Sequence, residues 1–137
     1  MKRYVLDTSA LLTPRDDEPG AHRVAEVLNL AARGKARCYG CFISLMEVLY
    51  RVWRGEDEAR GRLAYQQCLA LPMEWLRDSD ALLLRAAELK ARHPLALADA
   101  WIAACALERG AVLMHKDPEF NAVGVEQEVL PLKQARA

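Results

Sequence analysis

The chain has 137 residues, the length of one domain, and its 53% hydrophobic and 28% charged residues exclude an intrinsically disordered protein. Its 19 Lys and Arg residues balance 19 Asp and Glu residues, so it lacks the basic excess of proteins that coat DNA. Every apolar run is shorter than the ~20 residues of a membrane span, and the run that follows Arg3 ends at Asp7, too early for a secretion signal. We therefore expect one domain over residues 1–137, located in the cytoplasm.

The first half of the chain alternates short apolar runs with helical patterns. Its predicted elements are, in order, a strand at 3–6, a brief helix at 9–12, a polar loop at 14–20, a helix at 22–32, a strand at 38–43, a helix from 44 until Gly55 interrupts it, and a helix at 56–71. Thr8 or Ser9 is placed to cap the first helix, and Ser44 is placed to cap the third. The first strand ends directly at Asp7.

The second half continues the same alternation. Its predicted elements are a weak strand at 73–76, a helix from 78 or 79 to about 92, an apolar helix at 99–108, a strand at 111–114, a loop at 115–118, one helical turn at 119–122, an edge strand at 129–132 and an irregular tail at 133–137. The run at 111–114 is apolar throughout, which is typical of a central parallel strand. Because strands alternate with helices and no tight hairpin signal occurs, we expect an α/β fold with a mostly parallel sheet covered on both faces.

Four cysteines occur in the sequence, and two of them, Cys38 and Cys41, have the CxxC spacing of metal ligands. Residues three apart in a strand point to opposite faces, so both thiols cannot reach one metal ion unless Gly40 introduces a bulge. No second CxxC pair completes a zinc site. We interpret the cysteines as buried apolar side chains.

Two acidic residues follow predicted strands. Asp7 ends the first strand, and Asp117 lies in the loop that leaves the strand at 111–114. Sites of parallel sheets lie at the carboxyl ends of strands, so these two carboxylates converge if the strands are neighbours. Glu47 and Asp99 lie near predicted helix starts, where an acidic residue can also have a purely structural role. Residues 44–47 match a capping box, and Asp99 at the edge of an apolar face also complements a helix dipole.

Four carboxylates in one place repel each other, which raises pKa values and destabilises the fold. A divalent cation removes that cost, and Mg²⁺ and Mn²⁺ both prefer oxygen ligands. Such an ion also lowers the pKa of a bound water and stabilises a leaving oxygen at a phosphodiester. The acids therefore suggest hydrolytic chemistry that needs no Ser, Cys or Lys nucleophile.

Four segments together resemble the motifs of PIN-domain ribonucleases. They are residues 4–11 (YVLDTSAL), 44–49 (SLMEVL), 97–106 (LADAWIAACA) and 113–120 (LMHKDPEF). Each segment is weakly specific by itself, but their order and spacing agree with the family along nearly the whole chain. The length and the lack of added domains resemble the VapC-type toxins of bacterial and archaeal toxin–antitoxin pairs.

The resemblance implies a three-layer α/β/α fold with strand order 3-2-1-4-5 and a homodimer. It implies cleavage of RNA, often a tRNA or ribosomal RNA, with Mg²⁺ or Mn²⁺ as cofactor, and inhibition by a small antitoxin protein. Carried over to this sequence, the metal ligands or water-positioning groups are Asp7, Glu47, Asp99 and Asp117. Thr8 or Ser9 adds a hydroxyl near the metal and the substrate.

The sequence departs from the family two residues before Asp117, where His115 replaces the usual Thr or Ser. His115 is a candidate to bind a phosphate or shuttle a proton, and Lys116 is a candidate phosphate contact. Glu119 is a possible fifth acid at the rim or an ordinary acid of a first helical turn.

Three other functions are compatible with an acid at the end of the first strand, but a receiver-like phospho-acceptor is disfavoured because no Asp pair ends that strand. A haloacid-dehalogenase-type phosphohydrolase needs a second Asp two positions after the first, where this chain has Ser9. A catalytically degenerate PIN-like domain that binds RNA or protein stays open because of His115, although retention of all four acids argues against it.

Overall fold

The computed structural model describes residues 1–132, and the predicted tail at 133–137 lies outside them. Within that range a five-stranded sheet has the order β3-β2-β1-β4-β5, and all of its strand pairs are parallel. Its strands are β1 (Lys2–Leu6), β2 (Ala36–Cys41), β3 (Glu74–Leu76), β4 (Val112–His115) and β5 (Gln127–Val129). The α/β class and the predicted strand order 3-2-1-4-5 are confirmed.

Helices cover both faces of this sheet. They are α1 (Thr8–Arg15), α2 (Ala21–Ala32), α3 (Phe42–Gly55), α4 (Glu58–Leu69), α5 (Asp80–Arg92) and α6 (Leu97–Arg109), and a 3₁₀ turn spans Pro118–Ala122. Because side chains alternate along a strand, Val5 and Leu113 pack beneath α5 and α6, whereas Leu6 and Met114 pack beneath α1 to α4. The predicted three-layer arrangement is therefore present, with one apolar core on each side of the sheet.

Several predicted boundaries are wrong by a few residues. Helix α1 continues three residues beyond the predicted end and contains Pro14, and β2 stops at Cys41 so that α3 begins at Phe42. Helix α4 is shorter than predicted at both ends, and α6 begins two residues early. The last strand pairs with β4 over residues 127–129 rather than 129–132, and Pro131, which has no backbone N–H to donate, cannot extend it.

The four cysteines are free and buried, as expected. Cys38 packs in the core beneath α1 to α4, whereas Cys41 packs in the core beneath α5 and α6. The two thiols of the CxxC segment thus face opposite sides of the sheet and form no joint metal site. No helix of the described part of the chain is long and apolar enough to cross a membrane.

Candidate metal centre

The four predicted acids meet in one cavity of about 270 Å³ at the carboxyl edge of the sheet. Its lining residues are Asp7, Thr8, Ser9, Glu47, Arg51, Ala96, Ala98, Asp99, Asp117 and Glu119. The neighbouring strands β1 and β4 deliver the first and fourth acids, because the register that pairs Leu6 with Met114 ends both strands at this edge. Helices α3 and α6 bring the second and third acids to the same place.

Asp7 is held rigidly at the start of α1. Its Oδ1 accepts the backbone N–H of Ala10 at 2.9 Å and the hydroxyl of Ser9 at 2.7 Å, so Asp7 itself is the N-cap of α1. The prediction that Thr8 or Ser9 caps this helix is wrong. The hydrogen bonds of the described residues leave Asp7 Oδ2 unused, and that oxygen belongs to a side chain that lines the cavity.

Glu47 turns inward from the second turn of α3 and is 8% exposed. Its Oε1 accepts the hydroxyl of Thr8 at 2.7 Å, and its Oε2 lies 3.2 Å from Nη2 of Arg51. The capping box expected for residues 44–47 is absent because α3 starts earlier, with Cys41 as its N-cap. The buried Ser44 hydroxyl instead lies 3.1 Å from that of Thr8. Thr8 therefore positions the second acid, and its buried hydroxyl is already engaged.

Three carboxylates lie especially close together at the other side of the cavity. Asp99, Asp117 and Glu119 each offer one oxygen, and these oxygens lie within 4.8 Å of one another. Asp99 comes from the first turn of α6, and Asp117 caps the 3₁₀ turn by accepting the N–H of Glu119 at 2.9 Å. Glu119 Oε2 accepts the N–H of Ala96 at 3.4 Å, which ties the turn to the start of α6. Glu119 is thus part of the acidic cluster.

Burial and nearby negative charges raise the pKa values of two of these acids, Asp7 and Asp99. Burial, with smaller contributions from Asp117 and Glu47, raises the pKa of Asp7 to about 6, although its hydrogen bonds from Ser9 and Ala10 oppose the change. Burial and the neighbouring Glu119 and Asp117 raise the pKa of Asp99 to about 8. A donor set that consists only of oxygens and repels itself in this way fits Mg²⁺ or Mn²⁺.

His115 is buried and does not line the cavity. Its ring is fully buried, its Nδ1 accepts the N–H of Asp117 at 2.9 Å, and its Nε2 lies 2.8 Å from Oε1 of Gln127. Because Nδ1 accepts, Nε2 carries the proton and donates it to Gln127. Burial lowers the pKa of His115, which favours this neutral ring. The prediction that His115 contacts a phosphate directly is therefore wrong. The ring instead orients the backbone at Asp117.

Lys116 does not line the cavity either. Its ammonium is buried and lies 3.9 Å from Glu18 Oε1, while its backbone N–H donates to the hydroxyl of Ser9 at 3.2 Å. The predicted phosphate contact through this side chain is therefore wrong, and Lys116 links the loop that carries Asp117 to the start of α1.

Arg51 lines the cavity and was not predicted from the sequence. Its spacing of four residues from Glu47 on one helix is the signal that could have identified it.

Comparison with known proteins agrees with this geometry. The family model described as the PIN domain matches residues 4–126. No curated protein sequence gives a significant match.

Solved structures with the same fold include VapBC complexes. The DNA-bound VapBC from Salmonella typhimurium matches with a TM-score of 0.76 and 22% identity, covering 94% of this chain and 98% of that one. VapBC2 from Rickettsia felis, bound to a promoter DNA fragment, matches with a TM-score of 0.76 and 18% identity over 94% and 99% of the two chains. Mycobacterium tuberculosis VapC20, a sarcin-ricin loop cleaving toxin, matches with a TM-score of 0.71 and 20% identity over 93% and 99%.

Proposed function

This chain belongs to the PIN-domain family, and we propose that it is a divalent-metal-dependent endoribonuclease. The observation that carries the proposal is the convergence of Asp7, Glu47, Asp99 and Asp117 on one open cavity from four separate parts of the chain. Burial and nearby negative charges raise the pKa values of Asp7 and Asp99, which destabilises a metal-free fold, and a cation shared by the four acids would remove that cost.

Mg²⁺ or Mn²⁺ would be held by Asp7, Asp99 and Asp117, with Glu47 and Glu119 as further ligands or as acceptors for metal-bound waters. When bound, the ion would offset the negative charge on the attacking and leaving oxygens of the phosphodiester and would lower the pKa of a bound water. The hydroxyls of Thr8 and Ser9 donate to the carboxylates of Glu47 and Asp7, and we assign to them the role of holding these acids in place.

The protein's own residues have a positioning task in this mechanism. Ser9 and Ala10 fix Oδ1 of Asp7, and Oδ2 stays available to bind the ion. Thr8 fixes one oxygen of Glu47 in the same way, so that the carboxylate can orient an attacking water or accept its proton. His115 fixes the loop that carries Asp117. Preorganised acceptors of this kind lower the reorganisation needed at the moment of reaction.

We further propose that the protein is a VapC-type toxin that acts in the cytoplasm as a homodimer and is inhibited by a small antitoxin. The support is the similarity in fold to the VapBC complexes and to VapC20, together with the order of the four motifs. A tRNA or a ribosomal RNA is the substrate class that this proposal favours.

An RNA cleavage assay with Mn²⁺ or with EDTA tests the proposed activity. We expect the wild-type protein to cut RNA with Mn²⁺ and to be inactive with EDTA, and Asp7→Asn to be inactive with its circular dichroism spectrum retained. Asp78→Asn is the matched control, because Asp78 is exposed and does not line the cavity. Cutting in EDTA, or equal cutting by Asp7→Asn, would contradict the proposal. RNA binding without any cutting would favour the degenerate binding module instead.

A further inference from the structure

The cavity presents an electrostatic problem for a polyanionic substrate. Five carboxylates line it, from Asp7, Glu47, Asp99, Asp117 and Glu119. A bound divalent cation offsets only part of that negative charge, and each incoming phosphate adds another. A nuclease site of this composition therefore needs a further positive charge at its mouth.

Arg51 is the one basic side chain that lines the cavity among residues 1–132. It lies on α3 one turn after Glu47, and its Nη2 is 3.2 Å from Glu47 Oε2. The Arg51 side chain is 45% exposed, so its guanidinium is at the same time within reach of solvent and of the acids. The guanidinium has five N–H donors in a planar fork, and its contact with Glu47 uses one nitrogen.

Three other bases contact or face groups that do not line the cavity. Arg15 pairs with Glu56 at 2.7 Å, and Lys90 donates to the carbonyl of Leu95 at 2.7 Å. The ammonium of Lys116 is buried and faces Glu18. In the described part of the chain, Arg51 is therefore the base that is positioned to meet a ligand of the acidic cavity.

We propose that Arg51 binds a non-bridging phosphate oxygen of the RNA at the mouth of the cavity. This inference rests on the proposed ribonuclease function and assigns a substrate-binding residue to it. A divalent cation held by Glu47 would share the negative charge of that carboxylate and would weaken its contact with Arg51. The guanidinium then presents its free N–H groups to a phosphate, for which its planar fork is well suited.

Three variants separate phosphate binding from mere support of Glu47. Arg51→Gln removes the charge but keeps a polar side chain, and Arg51→Lys restores the charge without the fork. Arg54→Gln is the matched control on the same helix, because Arg54 is exposed and does not line the cavity. Each variant is assayed for RNA cleavage at several salt concentrations and, without RNA, for Mn²⁺ affinity by calorimetry.

We expect Arg51→Gln to raise the KM for RNA about tenfold or more and Arg51→Lys to recover part of that loss. The slope of log(1/KM) for RNA against log salt concentration should become shallower by about 0.7. That change corresponds to the loss of one phosphate contact on single-stranded RNA. The Mn²⁺ affinity without RNA should stay within about threefold of the wild type, and Arg54→Gln should resemble the wild type throughout.

Two results would overturn the assignment. An unchanged KM and salt slope in Arg51→Gln, with the wild type active, would show that Arg51 does not contact the RNA, while the ribonuclease function stands. A loss of cleavage matched by an equal loss of Mn²⁺ affinity would show that Arg51 only positions Glu47. If the wild type cuts no RNA with Mn²⁺, the proposed function fails and this inference fails with it.

Discussion

Replacing Asp7 with Asn should stabilise the protein when no divalent cation is present. Asp7 is 4% exposed, and its surroundings raise its pKa from 3.8 to about 6. A pKa change of one unit corresponds to ~1.4 kcal/mol, so ionising this carboxyl in the folded protein costs roughly 3 kcal/mol more than in the unfolded chain. Asn removes the charge and keeps an Oδ1 that can cap α1 through Ala10.

The pH dependence follows from the direction of this change. In the unfolded chain Asp7 ionises near its ordinary pKa, whereas the folded protein retains the proton until about pH 6. The wild type therefore loses stability between about pH 4 and pH 6 through this group, and the loss is complete above that range. The Asn side chain is neutral throughout, so the difference between the two proteins should vanish near pH 4 and be largest at pH 7 and above.

Thermal unfolding in EDTA measures the effect. For a domain of this size, roughly 3 kcal/mol corresponds to an increase in Tm of roughly 10 °C for Asp7→Asn at pH 8. Added Mn²⁺ should raise the Tm of the wild type and have a much smaller effect on the variant. Asp78→Asn serves as the control for loss of an exposed carboxyl. A variant that is no more stable than the wild type at pH 8 in EDTA would refute the argument that burial and repulsion at Asp7 oppose folding.

Three further predictions follow from the same geometry. The Mn²⁺ affinity measured by calorimetry should increase from pH 6 to pH 8, because the cation displaces protons from Asp7 and Asp99, whose pKa values are raised to about 6 and about 8; a constant affinity would argue against these acids as ligands. His115→Phe should lower the free energy of unfolding by ~2–4 kcal/mol in denaturant titrations, because Gln127 and the Asp117 N–H each lose a hydrogen-bond partner. An unchanged free energy of unfolding would contradict the structural role assigned to the ring. Thr8→Val should cost ~1–2 kcal/mol and reduce cleavage, because Glu47 loses its hydroxyl donor, and wild-type cleavage would exclude that positioning role.

The fold was predictable because its signals are local. Apolar runs such as the one that forms β4 identify buried parallel strands, and the helices between them show 3.6-residue periodicity. The order of the strands could not be predicted in this way, because periodicity does not determine which strands become neighbours. That part came from the resemblance of four motifs to one family, and the register between β1 and β4 then brings Asp7 and Asp117 to the same edge.

The local environments of the site residues were harder to predict. The S-x-x-E pattern at residues 44–47 is the same for a capping box and for an inward-facing acid, and the distant Thr8 decides between them by donating to Glu47. The motif position of His115 suggested a substrate contact, yet its ring is buried against Phe120 with centroids 4.7 Å apart. A contact such as that between Thr8 and Glu47, which lie 39 residues apart, leaves no periodic signal in the sequence.

Anomalous diffraction from crystals soaked in Mn²⁺ gives the most direct test of the shared cation site. The account predicts at least one anomalous peak in the cavity, with carboxylate oxygens of Asp7, Asp99 and Asp117 at bonding distance from it, directly or through water. The same crystals of Asp99→Asn should show a weaker peak. A protein with these side chains ordered and no peak among them, or with Mn²⁺ bound only elsewhere on the surface, would contradict the account.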